Sequence, residues 1–66
     1  MIKFAERLKE LRQERGLSIM ALGKEIDVSD ATICRWENGV SDIKSDQLVA
    51  LAGFFGVSTD FLLGIE

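Results

Sequence analysis

The sequence of 66 residues contains no histidine, no tyrosine and no proline, and it has a single cysteine, Cys34. A lone cysteine cannot close an intrachain disulfide, and without histidine or further cysteines the side chains cannot assemble a zinc site. A reducing compartment fits this composition best. The chain also lacks a glycine-rich phosphate loop and carboxylates clustered at catalytic spacing. We therefore expect neither an enzyme nor a protein that needs a metal or another cofactor.

The sequence also lacks the pattern of a targeting signal or a membrane span. Its N-terminus, Met-Ile-Lys-Phe followed by charged residues, does not resemble a signal peptide, and no apolar stretch approaches the roughly 18 residues that a span requires. We expect a cytoplasmic protein with no membrane partner. The length predicts one domain over residues 1–66, and folding at this size buries only about 60% of the unfolded surface, so oligomerisation would add needed stability.

Charge is distributed unevenly along the chain, whose net charge is -3. Residues 1–15 carry five basic and three acidic residues and are therefore net +2, whereas the remainder carries three basic and eight acidic residues and is net -5. The basic end is suited to facing phosphate groups. The alternative is a solvated helix face with near-neighbour ion pairs, such as Glu6 with Lys9. The pattern does not decide between these interpretations.

Apolar spacing and capping residues predict an all-α fold of five short helices. Phe4, Leu8 and Leu11 recur at helical spacing, and Gly16 follows them where a left-handed cap is needed. No alternating pattern typical of a strand is present. Serines stand at the candidate N-caps of the later helices, namely Ser18, Ser29, Ser45 and Ser58. The predicted helices cover residues 2–15, 19–26, 30–38, 46–55 and 59–63.

The apolar faces of these helices predict one core. Trp36 and Phe55 are aromatic enough to suggest stacking on bases, but their helical spacing with Ile33 and Leu51 favours packing in that core. Cys34 is better explained as a small residue than as a redox-sensing thiol, because the only cation near it in sequence is Arg35. The predicted core consists of Leu8, Leu11, Leu17, Leu22, Ile26, Val28, Ile33, Trp36, Leu48, Leu51, Phe55, Val57, Leu62 and Leu63.

The second and third helices are predicted to form a helix-turn-helix. The small Gly23 allows the two helices to approach closely, and Val28 fills the corner between them. Ile33 and Trp36 then anchor the inner side of the third helix. In such a unit the second helix of the pair is held where its N-terminal side chains can reach base edges.

Three segments carry a resemblance to a known family: "RLKELRQERGLS", "DVSDATICRWENG" and "LVALAGFFGVSTDFLLG". From Phe4 to Leu63 the sequence resembles the Cro and lambda-repressor type of helix-turn-helix domain, also called the XRE family. The resemblance implies a lambda-repressor-like bundle of five helices that binds double-stranded operator DNA. It also implies a homodimer on a pseudo-palindrome whose half-sites lie about one helical turn apart, with helix 30–38 in the major groove.

The resemblance places Asp30, Ala31 and Arg35 at positions that read base edges. Arg35 can present two donors to O6 and N7 of guanine, although a phosphate contact is the alternative. Ala31 can offer its methyl group to a thymine methyl, or it can serve helix propensity alone. Asp30 can accept a hydrogen bond from N4 of cytosine, or its charge can simply favour the start of the helix.

The resemblance also assigns contacts outside the base edges. Ser18, Ser29, Asn38 and Lys44 fall at positions that touch phosphates, and the backbone donors at the start of the second helix, beginning with Ile19, offer another such contact. Arg12 and Glu37 match a pair that forms a salt bridge between the first helix and the end of the reading helix in several family members.

The sequence departs from the family at several positions. Ile19 and Met20 stand where a glutamine and a charged residue are usual, and Asp27 replaces the usual turn glycine. Further apolar residues exceed what a monomer of this size normally exposes, and we interpret them as a homodimer surface. The alternatives are scattered exposed hydrophobic residues or a face that a further C-terminal domain covers. The predicted dimer surface consists of Val40, Ile43, Phe54, Phe61 and Ile65.

Two classes of function follow from these residues. The first is a sequence-specific transcriptional regulator, most simply a repressor. The alternative is a protein-binding module of the same fold, of the antitoxin or anti-repressor type, for which acidity and apolar patches would be useful. DNA binding should weaken steeply as salt rises, whereas apolar protein association should change little.

Overall fold

Five α-helices form where the sequence places apolar stripes between capping residues. The computed structural model describes residues 2–65, and all regular secondary structure in that range is helical. This confirms the all-α prediction. No helix within the described range has the length and apolarity that a membrane span requires. The helices are α1 (Ile2–Glu14), α2 (Ile19–Ile26), α3 (Asp30–Glu37), α4 (Ser45–Phe55) and α5 (Thr59–Leu63).

Serine caps start three of the five helices. The Oγ atoms of Ser18, Ser29 and Ser58 accept hydrogen bonds from backbone N–H groups three residues later, at 3.0, 3.2 and 2.9 Å. Each bond satisfies one of the donors that a helix start leaves unpaired. These hydrogen bonds confirm the three predicted caps. Such caps can be predicted from the sequence because each depends only on residues a few positions apart.

The predicted cap at Ser45 was wrong. Lys44 occupies the N-cap with extended backbone, and Ser45 is the first residue of α4. Here the side chain that completes the helix start comes from Gln47, whose Oε1 accepts from the backbone N–H of Lys44 at 3.2 Å. This bond is the half of a capping box in which the third helical residue reaches back to the cap.

The core lies between the five helices: α1 packs on α3 and α5, α2 packs on α3 and α4, and α4 packs on α5. Seven predicted members are buried, and most of the others are partly buried against them. The prediction omitted Phe4, Ala5 and Ala52, which are also buried. Phe4 is enclosed because α1 packs on both α3 and α5, and its ring meets Trp36 edge-on at 6.2 Å between centroids. Trp36 is 1% exposed, which confirms its assignment to the core.

Candidate nucleic-acid interface

The connection between α2 and α3 is a tight corner built on Gly23 and Asp27. Asp27 ends α2 in the left-handed region, at φ 58°, and the backbone N–H of Val28 donates to the carbonyl oxygen of Gly23 at 2.9 Å. A Cβ at Gly23 would collide with the backbone carbonyl oxygen of Val28. Glycine is therefore required at this position for the two helices to approach, as the sequence indicates.

The corner fixes which side of α3 faces solvent. Ile33 and Trp36 point into the core and are almost fully buried. The remaining side of the helix, continued by the residue that follows it, is open to solvent. We call this side the outer face of α3; it consists of Asp30, Ala31, Cys34, Arg35 and Asn38. All three residues expected to read bases lie on it.

At the start of α3 the side chains bind their own backbone. Ser29 caps the helix, and the Oδ1 atom of Asp30 accepts from the backbone N–H of Ala31 at 2.9 Å. The Asp30 charge therefore lies against the positive end of the helix. This contact is the one expected if the Asp30 charge serves to stabilise the start of the helix. The second carboxylate oxygen of Asp30 remains available to a donor outside the chain.

Arg35 is held by a hydroxyl that the sequence interpretation missed. Its Nη2 atom donates to Oγ1 of Thr32 at 3.3 Å, and Oγ1 of Thr32 lies 2.8 Å from Oγ of Ser29. The three side chains stand at intervals of three residues, which is one turn of helix each time. That spacing, Ser-x-x-Thr-x-x-Arg, is the sequence signal that could have identified Thr32.

Arg12 joins α1 to the end of α3. Its Nε and Nη2 atoms donate to the two carboxylate oxygens of Glu37 at 2.7 and 2.9 Å, and its Nη1 donates to the carbonyl oxygen of Leu17 at 2.8 Å. The side chains of Arg12 and Glu37 are 12% and 6% exposed. The hydrogen bond to Glu37 raises the pKa of Arg12 above its ordinary value, the Glu37 charge acts in the same direction, and burial opposes both.

The residues expected to contact phosphate differ in their exposure to solvent. Ser18, Ser29, Asn38 and Lys44 are exposed, so each can reach a partner outside the chain. The Nδ2 atom of Asn38 donates weakly to Sγ of Cys34, at 3.5 Å. Ile19 packs partly against the core, so only its backbone N–H remains suited to a phosphate.

The arginines of residues 1–15 contact groups of the protein itself. Arg7 donates to the carbonyl oxygen of Phe61 at 3.0 Å, and Arg15 donates to that of Phe55 at 3.2 Å. Together with Arg12, three of the five cations at this end of the chain contact protein groups. The idea that the basic end serves mainly to face phosphate is therefore a poor description of these arginines.

A further cation lies beside the corner. Lys24 borders an open cavity of about 390 Å³ between α2 and the start of α3, together with Met20, Asp27, Ser29 and Asp30. The sequence interpretation did not select Lys24, because a single lysine in an amphipathic helix gives no positional signal. Its place next to α3 makes it a source of positive charge beside two carboxylates.

Comparison with known proteins identifies the family. The helix-turn-helix family model matches residues 8–62. The chain belongs to the helix-turn-helix family of the Cro and lambda-repressor type. The matched span includes all of the corner between α2 and α3 described above.

Two curated regulators and one solved structure are similar to this helix-turn-helix domain. The HTH-type transcriptional regulator ImmR of Bacillus subtilis is 30% identical over 63 residues, which cover 96% of this chain and 50% of ImmR. DdrOP3 of Deinococcus deserti, also an HTH-type transcriptional regulator, is 35% identical over 66 residues, or 98% of this chain and 51% of DdrOP3. The chain therefore spans about half the length of these relatives.

One similar solved structure is a repressor bound to DNA. The P22 c2 repressor protein in complex with synthetic operator 9T matches with a TM-score of 0.89 and 30% identity, over 96% of this chain and 96% of that one. The helix-turn-helix fold of the present chain is thus the fold of a protein seen on an operator.

The residues expected to form a dimer surface differ in solvent exposure in this helix-turn-helix domain. Val40 and Ile65 are 71% and 72% exposed. Ile43 and Phe54 are partly buried against the core, and Phe61 lies under the guanidinium of Arg7, 4.1 Å from the ring centroid. Other large apolar side chains that the sequence interpretation did not place on this surface are also exposed, namely Ile2, Met20 and Val49.

Proposed function

We propose that this helix-turn-helix domain binds double-stranded DNA sequence-specifically and is the DNA-binding part of a transcriptional regulator, most simply a repressor that occludes a promoter. One observation carries the proposal: α3 presents Ala31 and Arg35 to solvent while Ile33 and Trp36 fix its orientation. Its similarity to the operator-bound P22 c2 repressor supports the same function. We place this activity in the cytoplasm.

In this proposal α3 lies in the major groove with its N-terminal half toward the bases. Arg35 donates two hydrogen bonds to O6 and N7 of guanine, and the Ala31 methyl group contacts a thymine methyl. Asp30 has mainly an electrostatic role, because its carboxylate is already engaged with the start of the helix. Its charge repels phosphate and so weakens binding to DNA of any sequence.

Phosphate contacts fix the position of α3 on the duplex. Ser18, Ser29, Asn38 and Lys44 supply side-chain donors, and the first backbone N–H groups of α2 supply others, since a helix start leaves them unpaired. Lys24 adds a cation beside them. Phosphate contacts of this kind set register and affinity, whereas the base contacts set the preferred sequence.

The charge of the domain makes a homodimer useful. With a net charge of -3 and three arginines of residues 1–15 engaged within the protein, one copy has little general attraction for DNA. We propose that two copies bind a pseudo-palindrome with half-sites about one helical turn apart. The dimer surface would include the exposed Val40 and Ile65 and the partly buried Ile43, Phe54 and Phe61.

Selection from a random pool of double-stranded DNA tests this function. The chain is expected to enrich a motif with a pseudo-two-fold repeat, at both low and moderate salt. Binding to the selected duplex should weaken as salt rises, with a slope that counts the phosphates contacted. Retention of DNA without enrichment of any motif would contradict sequence-specific regulation.

A protein-binding module of the antitoxin or anti-repressor type is the competing function, and the exposed Val40, Val49 and Ile65 favour it. Binding of that kind depends on apolar contacts and should change little with salt. Dimerisation is tested separately by sedimentation of the free protein and of its complex with the selected duplex. We expect two copies per duplex, and a single copy on a two-fold motif would contradict the dimer.

A further inference from the structure

A chain of hydrogen bonds runs along one side of the first two turns of α3. Arg35 Nη2 donates to Thr32 Oγ1 at 3.3 Å, and Thr32 Oγ1 lies 2.8 Å from Ser29 Oγ. The backbone N–H of Thr32 also donates to Ser29 Oγ, at 3.2 Å. Thr32 is therefore the only side chain of the three that bonds to both of the others.

We propose that Thr32 is a positioning residue that sets how Arg35 reads DNA; this rests on the proposed function. A free arginine side chain has many rotamers, and ordering it on binding costs free energy. The bond to Thr32 draws the guanidinium back toward the N-terminal half of α3, which is the part that enters the groove. Because a guanidinium has five N–H donors, the others stay available for guanine.

The same hydroxyl links the base contact to a phosphate contact. A guanidinium can only donate, so Thr32 Oγ1 is the acceptor toward Arg35. In the bond between Thr32 and Ser29 either hydroxyl can be the donor. Ser29 Oγ accepts from the backbone N–H of Thr32 and is also hydrogen-bonded to the Thr32 hydroxyl. In the arrangement in which Thr32 donates, the Ser29 hydroxyl hydrogen is left for a phosphate oxygen of the DNA. Such chains polarise their members and strengthen each bond.

Variants at position 32 test the proposal by sequence selection from a random pool of double-stranded DNA. Thr32→Val removes the hydroxyl while keeping the side-chain shape, Thr32→Ser keeps the hydroxyl, and Arg35→Ala marks the base pair that Arg35 reads. We expect Thr32→Val to lose about tenfold in discrimination at the position that Arg35→Ala relaxes, a fraction of what a full bidentate contact supplies. Thr32→Ser should retain the wild-type preference.

The outcomes separate this proposal from the proposed function. A wild-type chain that enriches no motif overturns both. A Thr32→Val variant that enriches the wild-type motif, while Arg35→Ala loses one position of it, overturns the role of Thr32 alone. Thermal unfolding of each variant checks that it is folded. If Thr32→Val does not fold, the decision passes to Thr32→Ser against Thr32→Ala, and equal preference in those two variants overturns the proposal.

Discussion

The guanidinium of Arg12 donates to both carboxylate oxygens of Glu37 and so joins α1 to the last turn of α3. The two donor–acceptor distances are 2.7 and 2.9 Å, and both side chains are largely shielded from solvent. A two-point contact between planar groups fixes orientation as well as distance. The pair therefore holds the C-terminal end of α3, while Gly23 and Val28 hold its other end at the corner.

Replacing Glu37 should destabilise the fold. Glu37→Ala leaves the Arg12 charge shielded and bonded only to the Leu17 carbonyl, and we expect a loss of about 2–3 kcal/mol in the free energy of unfolding. Urea titration measures this loss. The exposed Glu10→Ala on α1 is the control and should change stability by less than about 0.5 kcal/mol. Equal stability of the two variants would contradict a structural role for the pair.

The raised pKa of Arg12 fixes the pH dependence of its contribution. A group whose pKa is higher in the folded state stabilises the fold fully below the unfolded pKa, and this contribution is lost as pH rises through the folded value. For Arg12 both values lie at strongly alkaline pH. We therefore expect the stability difference between wild type and Arg12→Met to be unaffected by Arg12 titration from neutral to moderately alkaline pH, as followed by thermal unfolding.

Two glycines in helices should respond to alanine in opposite directions. Gly23→Ala places a Cβ against the Val28 carbonyl oxygen, so the corner must open, at a cost of about 1–3 kcal/mol. Gly53→Ala in α4 meets open space and should stabilise the domain by about 0.5–1 kcal/mol, because alanine loses less backbone freedom. Denaturant unfolding compares them. A Gly23→Ala variant as stable as wild type would refute the close approach of α2 and α3.

Asp27 carries a backbone cost that glycine would remove. At φ 58° a side chain with Cβ is strained, and aspartate tolerates this conformation better than most residues. We expect Asp27→Gly to raise the melting temperature slightly and Asp27→Ala to lower it, since alanine has the strain without the polar side chain that relieves it. Identical melting temperatures for the two variants would show that the left-handed conformation is not what matters there.

How far the sequence predicts this molecule depends on how local each feature is. The caps at Ser18, Ser29 and Ser58 and the close approach at Gly23 follow from neighbours a few residues away, and the structure has them. The cap of α4 was misplaced because Lys44 cannot cap with its own side chain, and the decisive acceptor belongs to Gln47. A capping rule that looks only for serine cannot find this arrangement.

Several contacts between residues far apart in the chain could not be predicted from the sequence. Arg7 and Arg15 look like surface cations in a charged helix, but they bond to carbonyl oxygens 54 and 40 residues away. Phe61 and Phe54 look like candidates for a dimer surface, yet the same two arginines lie over their rings. Only the packing of α1 against the end of the chain reveals these contacts.

Asp30 should restrain DNA binding in general. Asp30→Asn removes a negative charge near the phosphates and keeps a side-chain oxygen for the Ala31 backbone N–H, so we expect tighter binding to selected and unrelated duplexes alike. The helix start should lose about 0.3–1 kcal/mol of electrostatic stabilisation. Titrations with both duplexes at one salt concentration measure the effect. A changed sequence preference would instead assign Asp30 to base reading.

In the proposed complex the outer face of α3 lies against DNA, and Cys34 reports on this contact directly. Its thiol is the only one in the chain and is exposed on that face. The rate of maleimide labelling, followed by intact mass, should fall at least about tenfold when the selected duplex is bound, because docking in the major groove encloses the helix. Glu10→Cys in a Cys34→Ser background, placed on α1, should label at the same rate with and without DNA. Unchanged labelling of Cys34 under saturating DNA would contradict the account.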